Sequence, residues 1–185
     1  MTDAQQFEVF MHNYQHMVFS TAMRLLANQA EAEDVAQAVF LKAFERFEQL
    51  RENPSAGGWL KTVATNLSLN HLSRYRSRWS LFSDLFGGRE EHEESEINFP
   101  SPDSVEENLD RNERCAVVEQ ALQKLPPTQR VPLVLYHMDG LSYEEIAAKL
   151  DVSLGKVRMD IFRGREALRK KLQPTFGAEM GVTGS

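Results

Sequence analysis

Cysteine is nearly absent from this 185-residue chain, and other common functional signals are missing with it. The single Cys115 excludes an intramolecular disulfide and a cysteine-rich zinc site, and it suits a reducing compartment. The five histidines are dispersed without metal-ligand spacing. No glycine-rich phosphate loop or nucleophile constellation occurs, so an enzyme is the weakest functional class and no cofactor is expected.

Long hydrophobic runs are also missing. The best apolar run, residues 131–136, is far too short to span a membrane. The first residues do not show the basic-then-apolar pattern of a secretory signal. We therefore expect a cytoplasmic protein without membrane insertion.

The charge of the chain is unevenly distributed. Its net charge is −6, from 21 Lys+Arg against 27 Asp+Glu, which by itself argues against a protein that coats nucleic acid. Residues 87–114 alone carry ten acids and three bases, and the rest of the chain sums to +1. Low hydrophobicity with like charge favours a solvated linker. We predict domains at 1–80 and 113–173, an acidic flexible linker at 81–112 and a flexible tail at 174–185.

Apolar residues in the first domain follow helical spacing, in the ranges 7–25 and 32–47. A third helix is predicted to begin at Trp59, after the turn-rich residues 53–58, and Trp59 is interpreted as a core anchor. No stretch shows sustained alternation. The fold class predicted for the whole chain is all-α, with two small helical domains, the first a three- or four-helix bundle.

The second domain shows the pattern of a helix-turn-helix. Ser142 and Glu145 have the spacing of a capping box, and Asp151 occupies the turn, where a left-handed conformation is tolerated. A longer basic helix follows, predicted to bury Val157, Ile161, Leu168 and Leu172 and to end at Pro174. An ordinary helical hairpin with a basic exterior is the alternative, but an exposed Phe162 among arginines favours the reading of DNA.

Two blocks of sequence carry a resemblance to a known family. The first comprises residues 31–44 and 58–66. The second begins at Leu125-Pro126 and continues through 140–147, 154–158 and 163–168. In this order and spacing the chain resembles a sigma-70 family RNA polymerase sigma factor of the extracytoplasmic-function (ECF) group. The resemblance implies a bacterial cytoplasmic protein without catalysis, made of a region 2 domain, which binds core RNA polymerase and reads and melts the −10 element, and a region 4 domain, which reads the −35 element. Core RNA polymerase and promoter DNA are the implied partners, and an anti-sigma factor or other regulatory protein is a further one.

The resemblance also assigns candidate site residues. The core-polymerase set is Glu33, Asp34, Gln37 and Phe40, although acids also favour a helix N-terminus for purely structural reasons. The −10 set is Asn53, Ser55, Lys61, Asn66, Asn70, Arg74 and Arg76. The −35 set is Arg158, Met159, Phe162 and Arg163 for base edges, with Lys156, Arg165 and Arg169 for phosphates.

Several positions depart from the family pattern. Asn70 stands where many members have Asp. Lys156 replaces a usual Thr, Met159 a usual Ser and Asp160 a usual Arg, and an exposed Asp160 can accept from cytosine N4. These changes predict an altered −35 sequence and a weaker dependence on it.

The linker and the overall function leave alternatives open. The acidic linker resembles the family segment that threads the polymerase toward its active centre, or it is a plain tether. Leu81, Phe82, Leu85 and Phe86 either pack on region 2 or bind a partner, with packing favoured. The alternative function is a stand-alone helix-turn-helix regulator with an N-terminal effector or dimerisation domain. Such a regulator binds a palindrome as a dimer without polymerase.

Overall fold

The computed structural model describes residues 2–73 and 107–176, with side chains of the second range from residue 111 onward. Every regular element in these two ranges is an α-helix, so the predicted all-α class is confirmed. The chain divides into two compact units, Met1–Ser77 and Arg78–Ser185.

The described part of the first unit, residues 2–73, is a bundle of three long helices and one short one. In chain order these are α1 (Asp3–Leu26), α2 (Gln29–Glu45), α3 (Phe47–Leu50) and α4 (Ala56–Leu72). The connection between α1 and α2 is only two residues long. Ala27 ends α1 in the left-handed conformation, and the Asn28 side chain accepts a hydrogen bond from the Glu31 N–H at 3.1 Å to cap α2.

The core of the first unit lies where α1, α2 and α4 meet. Its fully buried side chains include Val18, Leu25, Val39 and Leu60. A cluster of aromatic rings at the start of α1 joins this core to α3, since the Phe7 and Phe47 rings meet edge to face at 5.1 Å.

Two aromatic residues of the first unit are more exposed than their spacing indicated. Phe44 touches Phe7 edge to face at 5.0 Å, yet it remains 59% exposed. Trp59 is only half-buried, and the Arg46 guanidinium carbon lies 6.0 Å from its ring centroid. The buried side of α4 runs instead through Leu60, Ala64 and Leu72, so the interpretation of Trp59 as a core anchor needs correction.

Residues 107–176, the described part of the second unit, form four further helices. They are α5 (Glu107–Gln123), α6 (Pro127–His137), α7 (Tyr143–Leu150) and α8 (Leu154–Phe176). α8 packs against the other three. The hydrophobic side chains Val131, Leu135, Ile146 and Ile161 are almost completely shielded at the centre.

The helix-turn-helix of α7 and α8 forms as its local sequence predicts. Ser142 Oγ accepts from the Glu145 N–H at 3.1 Å, while Glu145 Oε2 accepts from the Ser142 N–H at 2.8 Å. Asp151 adopts φ 55° and ψ 51°, the left-handed conformation expected in the turn. The four predicted inward residues of α8, Val157, Ile161, Leu168 and Leu172, are all buried.

Two helix ends differ from the sequence prediction. α8 passes through Pro174 and includes Phe176, the last residue of its described range, because an exposed proline near a helix terminus removes only one backbone hydrogen bond. α5 includes Glu107, the first residue of its described range, so this helix extends into the range predicted as linker.

Arg130 is a charged residue that the fold buries almost completely. It is only 3% exposed, and its Nη1 donates to the Leu125 carbonyl oxygen at 2.7 Å. Burial lowers the pKa of Arg130 to about 10. Arg130 therefore ties the start of α6 to the end of the segment before it.

Several predictions fall on residues outside the described ranges. These are Arg74 and Arg76, the greater part of the acidic linker, the apolar segment 81–86 and the tail from 177 onward. Among the helices of the described ranges, none is both long and apolar enough to cross a membrane.

Candidate nucleic-acid and partner interfaces

One side of α2 carries most of the predicted polymerase-binding residues. Glu33, Asp34 and Gln37 are exposed, and their spacing places them on one side of the helix in its first half. The same side continues through Leu41 and Phe44, which are 62% and 59% exposed. We call Glu33, Asp34, Gln37, Leu41 and Phe44 the α2 face. It is acidic at its N-terminal end and apolar at its C-terminal end.

Phe40 does not belong to this exposed surface. It is 8% exposed and lies in the wall of an open groove of about 450 Å³ between α1 and α2. Glu33 and Gln37 line the same groove from α2, and Met11 and Phe19 line it from α1. Three of the four predicted residues are therefore exposed together on α2, whereas Phe40 lies below them and contributes little exposed area.

Leu41 and Phe44 were not among the predicted site residues. A signal for them was present, because Gln37, Leu41 and Phe44 repeat at the spacing of one helix face. The same periodicity of residues 32–47 also fits a core position for Phe44, since helical periodicity alone does not show which edge of an apolar stripe meets the neighbouring helix.

The predicted −10 residues fall into two groups. Asn66 and Asn70 are exposed and lie one turn apart on α4, and exposed Thr62 extends the same stripe by another turn. We call Thr62, Asn66 and Asn70 the α4 stripe. Its amides and hydroxyl provide both hydrogen-bond donors and acceptors. Thr62 was not predicted, although it lies four residues before Asn66.

Asn53 and Ser55 lie in the turn that leads into α4. Both are exposed, and Asn53 Oδ1 accepts a hydrogen bond from the Ser55 N–H at 2.8 Å. This bond forms a local turn of the kind that asparagine favours. Lys61 is half-buried on α4. Asn53 therefore has a clear structural role beside its predicted contact with DNA.

In the N-terminal half of α8, the predicted base-reading residues lie at different depths. Arg158 and Arg163 are exposed, whereas Met159 and Phe162 are half-buried. Phe162 is therefore less exposed than the sequence indicated, and it presents less side-chain area to a DNA groove than a fully exposed phenylalanine would. Arg158 and Arg163 thus form the cationic part of this surface.

Asp160 and Lys156 form an ion pair within α8. Lys156 Nζ lies 2.7 Å from Asp160 Oδ2, and the side chains are 15% and 12% exposed. Burial raises the pKa of the Asp160 carboxyl, although the hydrogen bond and the positive charge of Lys156 oppose that shift. The expectation that Asp160 is exposed and accepts from a cytosine is wrong, because the residue lies against the body of the unit.

Arg165 is also engaged inside the protein. Its Nε donates to His137 Nε2 at 3.3 Å, and its guanidinium carbon lies 5.4 Å from the centroid of the Tyr136 ring. The pKa of His137 is lowered, first by burial and then by the positive charge of Arg165. A neutral imidazole is the form that can accept this hydrogen bond.

The arrangement of these surfaces agrees with the similarity of the chain to known proteins. The sequence model for sigma-70 region 2 matches residues 10–78, and the model for sigma-70 region 4 matches residues 115–168. The chain is 36% identical to the RNA polymerase sigma-H factor of Pseudomonas aeruginosa over 172 residues, which cover 93% of this chain and 89% of that protein.

Two further proteins are similar to the chain. The ECF RNA polymerase sigma-E factor of Escherichia coli K12 is 33% identical over 172 residues, with the same coverage. A solved structure of the sigma factor RpoE in complex with the anti-sigma factor NepR from Bartonella quintana aligns with a TM-score of 0.48 at 22% identity, covering 91% of this chain and 98% of that chain. From the family matches and the relatives above 30% identity, the chain belongs to the sigma-70 family of RNA polymerase sigma factors, in its extracytoplasmic-function group.

Proposed function

We propose that this chain directs promoter-specific transcription in the bacterial cytoplasm by binding core RNA polymerase through the α2 face and promoter DNA through α4 and α8. It supplies recognition to the polymerase and carries out no chemical step of its own. The observation that carries this proposal is that one chain presents both an acidic and apolar docking surface and a helix-turn-helix with exposed arginines.

The α2 face suits a partner that is basic at one end and apolar at the other. Acidic groups steer a basic partner and fix its orientation, whereas burial of large apolar side chains provides most of the affinity. Leu41 and Phe44 are the large apolar side chains that the described part of α2 leaves mostly exposed. We therefore assign them the central part of the contact, with Asp34 and Gln37 beside them and Phe40 supporting the helix from below.

The α4 stripe suits bases that have left the DNA duplex. An unpaired base displays its pairing edge, and amide side chains can satisfy both donors and acceptors on that edge. Asn66 and Asn70 are placed for this role, with Lys61, Asn53 and Ser55 nearby in sequence. Contacts from Arg74 and Arg76 to phosphate rest on the sequence alone.

At the −35 element, we assign the contacts with base edges to the exposed Arg158 and Arg163, because arginine pairs well with guanine O6 and N7 in the major groove. Met159 and Phe162 add apolar contacts of limited area. Since Met159 and the buried Asp160 differ from the usual family residues, the preferred −35 sequence is expected to differ from the common AAC-centred motif. Control by an anti-sigma partner stays a prediction from the family resemblance.

The α2 face can be tested in assays with core polymerase. Leu41→Asp and Phe44→Asp should each weaken binding to core enzyme by about tenfold or more, because each buries a charge at the centre of the contact. Promoter-specific transcripts should fall in parallel. Val9→Asp is the matched control, since Val9 is 51% exposed on α1 and lies outside the α2 face.

The stand-alone regulator is the competing function, and the comparisons with known proteins give it no support. The two functions differ in a direct measurement with the unaltered chain. A sigma factor produces promoter-specific transcripts only when it is added to core polymerase. If the chain gave no such transcripts, or if both α2 variants matched Val9→Asp in core binding, the proposed function would be rejected.

A further inference from the structure

Lys156 and Asp160 depart from the family pattern together, and the structure shows that the two departures form one unit. They are four residues apart on α8, the spacing at which side chains on a helix meet. Their charged atoms lie 2.7 Å apart. The usual family residues, Thr at position 156 and Arg at position 160, would not form such a pair. In this chain, a potential DNA-binding cation at position 160 is therefore replaced by an internal ion pair.

The surroundings of the pair restrict Lys156. Its side chain is 15% exposed, compared with 44% for Arg169 in the other ion pair of α8, the one with Glu166. If Lys156 turned outward to a phosphate, the carboxylate of Asp160 would be left largely buried and without its nearest cation. The positive charge of Arg163 also favours the Asp160 carboxylate, but less than Lys156 does, so movement of Lys156 from Asp160 to a phosphate oxygen is opposed by the cost of a poorly compensated buried charge.

We propose that Asp160 is a positioning residue that holds Lys156 against the protein and withholds it from the DNA backbone. This inference rests on the proposed function, because it concerns how α8 meets the −35 element. Contacts to phosphate add affinity without sequence information, whereas contacts to base edges discriminate between sequences. By removing one phosphate contact next to Arg158 and Arg163, Asp160 lowers the general affinity of α8 for DNA and leaves its base-reading residues in place.

The salt dependence of promoter binding tests this inference. Each phosphate neutralised by the protein adds about 0.9 to the slope of log K against log salt concentration. We expect Asp160→Asn in reconstituted holoenzyme to release Lys156, to steepen that slope by about 0.9 and to tighten binding most at low salt. Lys156→Gln in the unaltered chain should leave the slope unchanged, and in the Asp160→Asn background it should return the slope to its original value.

Glu166→Gln provides the matched control. It removes one negative charge from the same helix, but its partner Arg169 is already well exposed in their ion pair, so the slope should change little. If Asp160 only stabilised the fold, Asp160→Asn would lower stability, and any change of the slope would be independent of Lys156. An equal change of slope for Glu166→Gln and Asp160→Asn would overturn the inference, because net charge would then account for both.

The remaining outcomes are distinguishable. A decrease of about 0.9 in the slope for Lys156→Gln alone would show that Lys156 already contacts a phosphate, and it would reject the inference. That measurement decides the matter even if Asp160→Asn does not fold. Absence of promoter-specific transcripts from the unaltered holoenzyme would reject the proposed function itself. Normal transcripts from the unaltered holoenzyme, together with an unchanged slope in Asp160→Asn, would reject the inference about Asp160 but not the proposed function.

Discussion

Gly164 lies within α8, where a glycine weakens a helix by about 1 kcal/mol relative to alanine. The reason for glycine at this position is the close approach of α6. A Cβ atom on residue 164 would lie 3.0 Å from the carbonyl oxygen of Gln129 and 3.5 Å from Leu133 Cδ2. We therefore expect Gly164→Ala to destabilise the second unit even though alanine is the better helix former.

The size of the effect follows from two opposing contributions. Alanine adds about 1 kcal/mol of helix propensity, whereas overpacking a tight contact typically costs about 1–3 kcal/mol. The contacted oxygen belongs to the backbone of α6 and cannot rotate away as a side chain would. We expect a net loss of about 1 kcal/mol for Gly164→Ala, and a larger loss for Gly164→Val.

Gly155 provides the internal comparison on the same helix. A Cβ atom there would have no heavy atom within 4 Å, so Gly155→Ala should stabilise α8 by about 0.5 kcal/mol through propensity alone. Hydrogen exchange of the most protected amides of α6 and α8 reports the second unit separately from the first. Exchange should be about fivefold faster in Gly164→Ala and slower in Gly155→Ala. Slower exchange in both variants would refute the argument, because it would show that the contact with Gln129 costs nothing.

Two further predictions concern the second unit. The pKa of His137 is lowered in the folded protein, so the unfolded chain takes up a proton first as the pH falls. The neutral His137 therefore contributes its full share to the free energy of unfolding above the ordinary histidine pKa of 6.5, and this contribution is lost as the pH falls below that value. Protection of the α6 and α8 amides from hydrogen exchange, corrected for intrinsic rates, should thus fall between about pH 7.5 and 5.5. His137→Gln should remove most of this dependence of protection on pH. If the dependence were unchanged in His137→Gln, other groups would be responsible for it. Asp151→Gly should stabilise the helix-turn-helix by about 0.5 kcal/mol, because Asp151 has φ 55° and glycine adopts this left-handed conformation without strain. Asp151→Val should destabilise it, since a β-branched side chain is strained there. Thermal unfolding measures both effects, and a valine variant as stable as the unaltered chain would contradict this argument.

The sequence predicted best those features that depend on a few neighbouring residues. The capping box at Ser142 and Glu145 and the left-handed Asp151 need only groups within one helical turn, and both are present. The buried face of α8 follows from periodicity, because a helix can turn only one side toward the rest of its unit. Local chemistry and simple geometry were sufficient in these cases.

Features that depend on which helix packs where could not be predicted in the same way. Phe40 and Phe44 lie on adjoining turns of α2, yet one is 8% exposed and the other 59%. The difference arises from where α1 crosses α2, and the periodicity of α2 contains no information about that crossing. Asp160 shows the same limit for a charged residue, which sequence reasoning placed at the surface and the fold covers.

The internal partners of α8 also reduce the number of its positive charges that are available to DNA. Seven basic residues lie between residues 153 and 172. Arg169 pairs with Glu166 near the surface and stays 44% exposed, but two others are held inside the second unit, Lys156 by Asp160 and Arg165 by His137 and Tyr136. Each cation engaged in this way is less available to release counterions from DNA, so the affinity of α8 for DNA should be lower than its sequence indicates.

Low affinity in the isolated unit agrees with recognition that depends on polymerase. Under the proposed function, binding of the α2 face to core enzyme makes the contacts of α4 and α8 with one promoter intramolecular. Their effective concentration then replaces the affinity that either helix lacks alone. Arg158 and Arg163 need only discriminate between sequences, and general attraction to phosphate would favour every site on the chromosome equally. Under the proposed function, the internal partners of Lys156 and Arg165 favour selectivity at the expense of binding strength, which is the balance expected of a promoter-recognition subunit that acts only together with polymerase.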